Sequence, residues 1–151
     1  GIAAARERGK ADLRPPGPVI VTGNPEMLHR ALENVVRNAV RHSPSGRKVR
    51  VSSAFDAAAR NVELTVADDG PGVDPAELAS IFEPFFRGSG AKATQGHGLG
   101  LAIARRVIEA HGGTVAASNR AGGGLVVTIR LPAWQRADRQ LYAGLRPGNS
   151  L

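Results

Sequence analysis

The chain has 151 residues, 42% of them hydrophobic, and no cysteine, so it can bury one core and has no disulfide framework, thiolate metal site or cysteine nucleophile. Lys and Arg outnumber Asp and Glu by 20 to 13, and the formal charge of +7 favours anionic partners. The charges are scattered and the single Tyr and Trp lie near the C-terminal end, which disfavours a basic nucleic-acid-binding module.

No apolar run is long enough to span a bilayer, no signal peptide is recognisable, and the opening GIAAARERGK reads as a fragment cut from a longer protein. KADLRPPGPVIVTGN then predicts two short extended pieces around a Pro-Pro-Gly turn. Asn24-Pro25 starts a helix, with Asn as cap and Pro in the first turn. Leu28, Ala31, Leu32, Val35, Val36 and Ala39 recur at helical spacing until Ser43-Pro44-Ser45-Gly46 stops the run. KVRVSSAF and NVELTVAD predict two strands joined through Asp56 to Arg60, and Pro75 opens a short helix through Ile81. RGSGAKATQGHG is an aperiodic loop of the length that is usually functional or disordered. A second amphipathic helix follows from Leu99 to His111, capped by Gly112-Gly113. TVAASN and LVVTIRLP predict two more strands around Gly122 to Gly124. Residues 1–132 thus form the expected domain, and residues 133–151 a poorly ordered tail. The irregular alternation of helices and strands predicts a layered α/β sandwich with a mixed or largely antiparallel sheet.

Four stretches carry chemistry. In ENVVRNAVRHSP, Asn34, Asn38 and Arg41 share a helix stripe opposite the apolar face. Asn is a poor helix former, and the stripe is either a solvated face or a place where an amide oxygen completes a magnesium shell. Arg41 and His42 can reach the same anion. In ADDGPGVDP, Asp68 and Asp69 end a strand and point to opposite sides, so one of them faces a ligand, and Gly70 and Gly72 permit close backbone approach. An adenine amino group or a metal is a natural partner for that carboxylate, and a tight acidic turn is the plain alternative. IFEPFFRG holds three of the four Phe, which either fill the core or anchor a lid. TQGHGLGLAIARR sets Gly96, Gly98 and Gly100 around His97 and Leu99 at a helix start, as a phosphate cradle, a metal loop or a hinge. Rossmann and P-loop spacings are absent, and His29, His42, His97 and His111 show no metal-ligand spacing. His111, at a helix end, reads as structural.

Together the four stretches resemble the ATP-binding catalytic domain of bacterial sensor histidine kinases, in the superfamily of DNA gyrase, MutL and the ninety-kilodalton heat-shock chaperones. ENVVRNAVRHSP is similar to that family's N box, DDGPG to its G1 box, IFEPFFR to its F box and GHGLGL to its G2 box, and the similarity runs from Lys10 to Pro132. The resemblance implies a Bergerat fold, a mixed sheet of about five strands covered on one face by about three helices. It implies that Asn38 coordinates Mg²⁺ bridging the ATP phosphates, with Asn34, Arg41 and His42 beside it. Asp68 would accept from the adenine amino group, with Gly70 and Gly72 against the base. Arg87 to Gly96 would form a mobile ATP lid, and Gly96, His97, Gly98, Leu99 and Gly100 would line the phosphates.

Hydrolysing relatives carry a glutamate where Asn34 stands; Glu33 is turned away by roughly 100°, and an amide is no general base. The resemblance therefore implies phosphoryl transfer to a histidine, ahead of an anti-sigma serine kinase or a clamp ATPase. No phosphoacceptor segment of the family's kind is present. Implied partners are a separate dimerisation domain carrying the histidine and a response regulator. The implied setting is the cytoplasmic part of a membrane-anchored homodimer in the bacterial inner membrane.

Overall fold

The computed structural model describes residues 11–14, 20–56, 58–88 and 98–134. Strand β1 (Ala11–Arg14) and the two-residue β2 (Ile20–Val21) precede helix α1 (Pro25–His42). Asn24 caps α1 as its sequence dictates: its Oδ1 accepts the Met27 N–H at 3.0 Å, and Pro25 and Glu26 fill the first turn. Leu28, Ala31, Val35, Val36 and Ala39 form the buried stripe.

Strands β3 (Val49–Asp56) and β4 (Asn61–Ala67) form an antiparallel hairpin, with Val51 opposite Val66. The single short helix expected from Pro75 to Ile81 is instead two 3₁₀ turns, Pro75–Glu77 and Ser80–Phe82. Too few apolar residues recur there to stabilise a longer helix against packing. Helix α2 (Gly100–Ala110) leads into β5 (Thr114–Asn119) and β6 (Leu125–Trp134).

The sheet runs β1-β3-β4-β6, and the far edge of β6 is shared by β5 and β2. Among the described strands only β1 pairs in parallel, with β3; the other pairings are antiparallel. The two expected extended pieces, β1 and β2, therefore lie on opposite edges, while the Pro-Pro-Gly turn expected between them lies outside the described residues; β6 continues two residues past the expected close at Pro132. Leu125, Val127, Ile129, Leu131 and Ala133 alternate inward along β6, the period of a strand with one covered face. The other face is polar: Ser52 Oγ and Thr65 Oγ1 lie 2.5 Å apart, and Glu63 pairs with Arg130 at 2.7 Å.

Both helices cover the apolar face and pack on each other, with Val35, Val49, Val66, Ile108 and Ile129 in the centre of the core. Two α-helices and two 3₁₀ turns among the described residues thus stand where about three helices were expected. His111 fastens the pair. Its Nδ1 donates to the Val107 carbonyl at 2.7 Å, and its Nε2 accepts the Asn24 N–H at 3.1 Å. This joins the end of α2 to the start of α1, so the helices run antiparallel.

Gly124 has φ +98°, and a Cβ there would lie 2.0 Å from the Asp68 carbonyl oxygen. Gly124→Ala is expected to cost about 3 kcal/mol, on the order of 10 °C in Tm, through contact plus backbone strain. Gly122 has φ +86° and open space around it, so Gly122→Ala should cost only about 1 kcal/mol. Parallel thermal melts of the two variants separate the contact from the strain.

Candidate functional site

Asn34, Asn38 and His42 stand four residues apart on α1, which places them in a line about 12 Å long. Asn34 and Asn38 are half-buried, and Arg41 and His42 are exposed. At the Asn34 end lies the first residue of α2: a Cβ on Gly100 would sit 3.7 Å from the Asn34 Cβ and 3.8 Å from its amide oxygen. At the His42 end lies the DDGPG turn, where a Cβ on Gly70 would meet the His42 carbonyl oxygen at 2.7 Å. The N-terminus of α2, two amides and the acidic turn are therefore arranged in order along one stripe.

Asp68 is 3% exposed, the one buried charged residue among those described. Its N–H donates to the Leu125 carbonyl at 2.9 Å, which extends the ladder of β4 and β6 by one residue. Its Oδ1 accepts from the Gly70 N–H at 2.9 Å and from the Leu125 N–H at 3.1 Å. The strand's alternation turns Asp69 outward, where it pairs with Arg120 and with Arg50 at 2.9 Å. Hydrogen bonds from Arg120 and Arg50 hold the Asp69 carboxyl below the usual range.

Residues 119–125 brace this turn, and none of the four chemistry-bearing stretches includes them. The Asn119 amide accepts from the Val73 N–H at 2.9 Å and donates to the Val73 carbonyl at 2.6 Å. Gly72, at φ +77°, leaves the space this needs, since its Cβ would fall 2.7 Å from Asn119 Oδ1. Arg120 Nη1 donates to the Asp68 carbonyl at 2.8 Å. The three consecutive glycines at 122–124 were a signal of close approach, but a spacing pattern cannot say what is approached.

His42 retains an exposed edge as a residue, yet the surrounding protein withdraws enough solvent to lower its pKa; nearby Asp68 opposes this and Arg41 adds to it. With the folded pKa below the unfolded one, neutral His42 favours the fold above the ordinary imidazole pKa. That contribution is lost as pH falls from there through the folded value. Wild-type Tm should therefore fall further between pH 7.5 and 5.5 than that of His42→Gln, and equal losses in paired melts would refute the assignment.

The three phenylalanines divide. Phe82 is in the core, Phe86 is half-buried against it, and Phe85 is 72% exposed with φ +64°. The Phe85 N–H donates to the Gly98 carbonyl at 2.9 Å, and a Cβ on Gly98 (φ +66°) would lie 2.8 Å from the Phe86 carbonyl oxygen. The IFEPFF segment and the start of α2 are thus pinned together. Arg87 is exposed beside them. Gly96 and His97 lie outside the described residues, as does most of the expected lid.

Leu99 precedes α2 without a side-chain cap, and the helix's first turn carries no acidic residue. Among the described residues no side chain caps its leading N–H groups, which with the positive dipole end can receive an anion, whereas α1 has Asn24 and Glu26 at its own start. Glu33 faces His29, 4.0 Å away. Among the described residues no group of three or more His, Asp or Glu is disposed to hold a metal. A cation here would draw one protein oxygen, such as that of Asn38, and take its other ligands from a bound anion and water.

The family described as histidine kinase-, DNA gyrase B- and HSP90-like ATPase matches residues 23–135. The sensor histidine kinase CpxA of Escherichia coli K12 is 45% identical over 125 residues, which is 82% of this chain and 26% of CpxA. The chain therefore spans about a quarter of the length of that curated relative. The solved mycobacterial sensor histidine kinase MprB superposes with a TM-score of 0.78 at 34% identity, over 87% of this chain and 89% of that one. Full-length ShkA, solved in complex with AMPPNP, has a TM-score of 0.71 at 31% identity, over 87% of this chain and 27% of that one. The chain belongs to the histidine kinase-, DNA gyrase B- and HSP90-like ATPase family, as an ATPase domain of the sensor histidine kinase type.

Proposed function

We propose that the chain binds Mg²⁺-ATP along the α1 stripe and, within a longer protein, presents its γ-phosphoryl group to a histidine on a separate dimerisation domain. The observation that carries this is the order of groups on the stripe. A buried acceptor, Asp68, lies by the His42 end of the stripe and an uncapped helix N-terminus, at Gly100, by the Asn34 end, with Asn38 between them on about 12 Å of helix. That span suits a nucleotide extended from base to phosphates. The bound AMPPNP of ShkA, in a relative of the same fold, is consistent with it.

Asp68 accepts from the adenine amino group, while Gly70 and Gly72 keep the turn low enough for the base to lie against backbone. The N–H groups at Gly98, Leu99 and Gly100 receive the phosphates, joined by Gly96, His97 and Arg87, with Arg41 and His42 on the flank. The donor set suits Mg²⁺: a single amide oxygen from Asn38, with Asn34 adjacent, leaves most positions to phosphate and water. Bound there, Mg²⁺ supplies charge neutralisation across the phosphate oxygens.

Positioning and electrostatics supply most of the rate in phosphoryl transfer, so the attacking group can come from another domain. Asn34 has no basic lone pair to activate water, and Glu33 sits on the neighbouring stripe beside His29. The arrangement therefore favours transfer over hydrolysis. The proposed sequence runs from ATP to the dimerisation-domain histidine and then to a response-regulator aspartate. We place the domain on the cytoplasmic side of a membrane-anchored homodimer; no helix of the described residues is long and apolar enough to cross a membrane.

The test is transfer from γ-labelled ATP to the dimerisation domain encoded by the same gene. Acid-labile, alkali-stable label on that domain is expected. Label released only as inorganic phosphate, or found as acid-stable phosphoserine on another protein, would overturn the reading.

A further inference from the structure

We propose that the hairpin turn between β5 and β6, residues 119–125, is a clamp that positions the base-reading carboxylate, with Asn119 and Arg120 as positioning residues for nucleotide selectivity. The inference deepens the reading of Asp68 as the adenine acceptor and rests on it. Residues 68–74 form no helix or strand and include two glycines, and the bond from their own backbone to the Asp68 carboxylate, from the Gly70 N–H at 2.9 Å, moves with the turn itself. The hairpin fixes Asp68 from outside.

Arg120 holds the first residues of the turn, donating to the Asp68 carbonyl at 2.8 Å and pairing with the Asp69 carboxylate, which Arg50 also engages at 2.9 Å. Asn119 holds the other end, bonding both the N–H and the carbonyl of Val73, as a neighbouring strand would. Between these grips the Leu125 N–H meets Asp68 Oδ1 at 3.1 Å, and Gly124 lies directly on the Asp68 carbonyl. The hairpin turn is closed by its own bonds, Arg120 N–H to the Gly124 carbonyl at 2.9 Å and Gly123 N–H to the Arg120 carbonyl at 3.1 Å. One preformed unit thus fixes both ends of the acidic turn, while Gly70 rests over the end of α1.

The consequence is selective. A hydrogen bond to an exocyclic amino group weakens steeply with misplacement of its acceptor. The phosphates are received at the far end of the α1 stripe, away from the hairpin. Loosening the clamp should therefore weaken ATP, whose base carries the amino group, and spare ITP, whose base carries a carbonyl there. Asn119 is exposed and the Arg120 side chain is 29% exposed, so the core is left intact by substitution at either position.

The experiment is calorimetric titration of Mg-ATP and Mg-ITP into the wild type, Asn119→Ala, Arg120→Met and Arg120→Lys, with Tm recorded for each. The wild type is expected to prefer ATP. Asn119→Ala and Arg120→Met should each cut the ATP-to-ITP affinity ratio about three- to tenfold, with ITP affinity nearly unchanged. Arg120→Lys, which retains a cationic donor, should recover part of the ratio. Variants that keep the wild-type ratio, or lose both nucleotides equally, would overturn the clamp and leave the reading of Asp68 standing. A wild type that binds ATP no more tightly than ITP would overturn that reading and the clamp with it. Should Arg120→Met fail to fold, Asn119→Ala, which removes no charge, carries the same comparison.

Discussion

Asp68→Asn should reverse the nucleotide preference of the domain without unfolding it. The amide oxygen can still accept the Gly70 and Leu125 N–H groups that Oδ1 accepts now. The other position would then carry an NH₂ donor in place of an acceptor. Facing adenine it sets donor against donor; facing hypoxanthine it meets a carbonyl. A hydrogen bond to a charged acceptor is worth roughly 1.5–3 kcal/mol, so ATP affinity should drop about 10- to 100-fold while ITP holds or improves. Asp68→Ala is the poorer probe, because it strands two buried donors and confuses binding with stability. Competition binding of the two nucleotides checks the expectation, and an Asn variant that still prefers ATP would exclude Asp68 as the base acceptor.

The second large effect is expected at Asn38. Its amide is half-buried on the line between Asn34 and His42, with no cluster of metal-binding side chains near it among the described residues. Asn38→Ala removes the protein's own oxygen from the Mg²⁺ shell. Affinity for Mg-ATP should fall at least about tenfold, the scale of losing a group that supports a bound metal. Affinity for ATP in excess chelator should stay at the wild-type value, so that the variant no longer responds to Mg²⁺. Equal losses with and without the metal would show that Asn38 acts on the nucleotide or the fold, and not on the cation.

Much of the architecture was legible because it rests on local periodicity. Helix α1 announced itself by Asn24-Pro25, its apolar stripe and the Ser-Pro stop, and α2 by its glycine start and its Gly112-Gly113 end. Each of those is a property of a few neighbouring residues. The alternation at Asp68 and Asp69 was equally local, and one side chain is buried and the other paired with arginines, as a strand end requires. Where the pieces meet was not legible. The two short extended pieces on either side of Pro15-Pro16-Gly17 were legible, but their places on opposite edges of the sheet were not, since pairing partners are chosen by packing across the whole chain. The short segment after Pro75 has too few turns for periodicity to separate an α-helix from 3₁₀ turns.

At the site, the four boxes supplied the stripe on α1, the acidic turn and the glycine approach to α2. The brace from Asn119, Arg120 and Leu125 stayed hidden, because it acts through backbone atoms and through a contact between residues far apart in sequence. The resemblance placed three phenylalanines in one box. Burial separates them: Phe82 and Phe86 pack inward, and Phe85 is held outward by its bond to Gly98.

The most direct measurement is a thermal-shift titration of the domain with ATP in the presence and absence of Mg²⁺. A ligand that binds only the folded state adds about 2.7 kcal/mol at a hundred times its Kd, on the order of 10 °C for a domain of this size. A saturable rise of that order is expected for the wild type with Mg-ATP, with about half of it or more lost in both Asn38→Ala and Asp68→Asn. No shift at millimolar Mg-ATP, or the same shift in all three proteins, would contradict nucleotide binding along the α1 stripe.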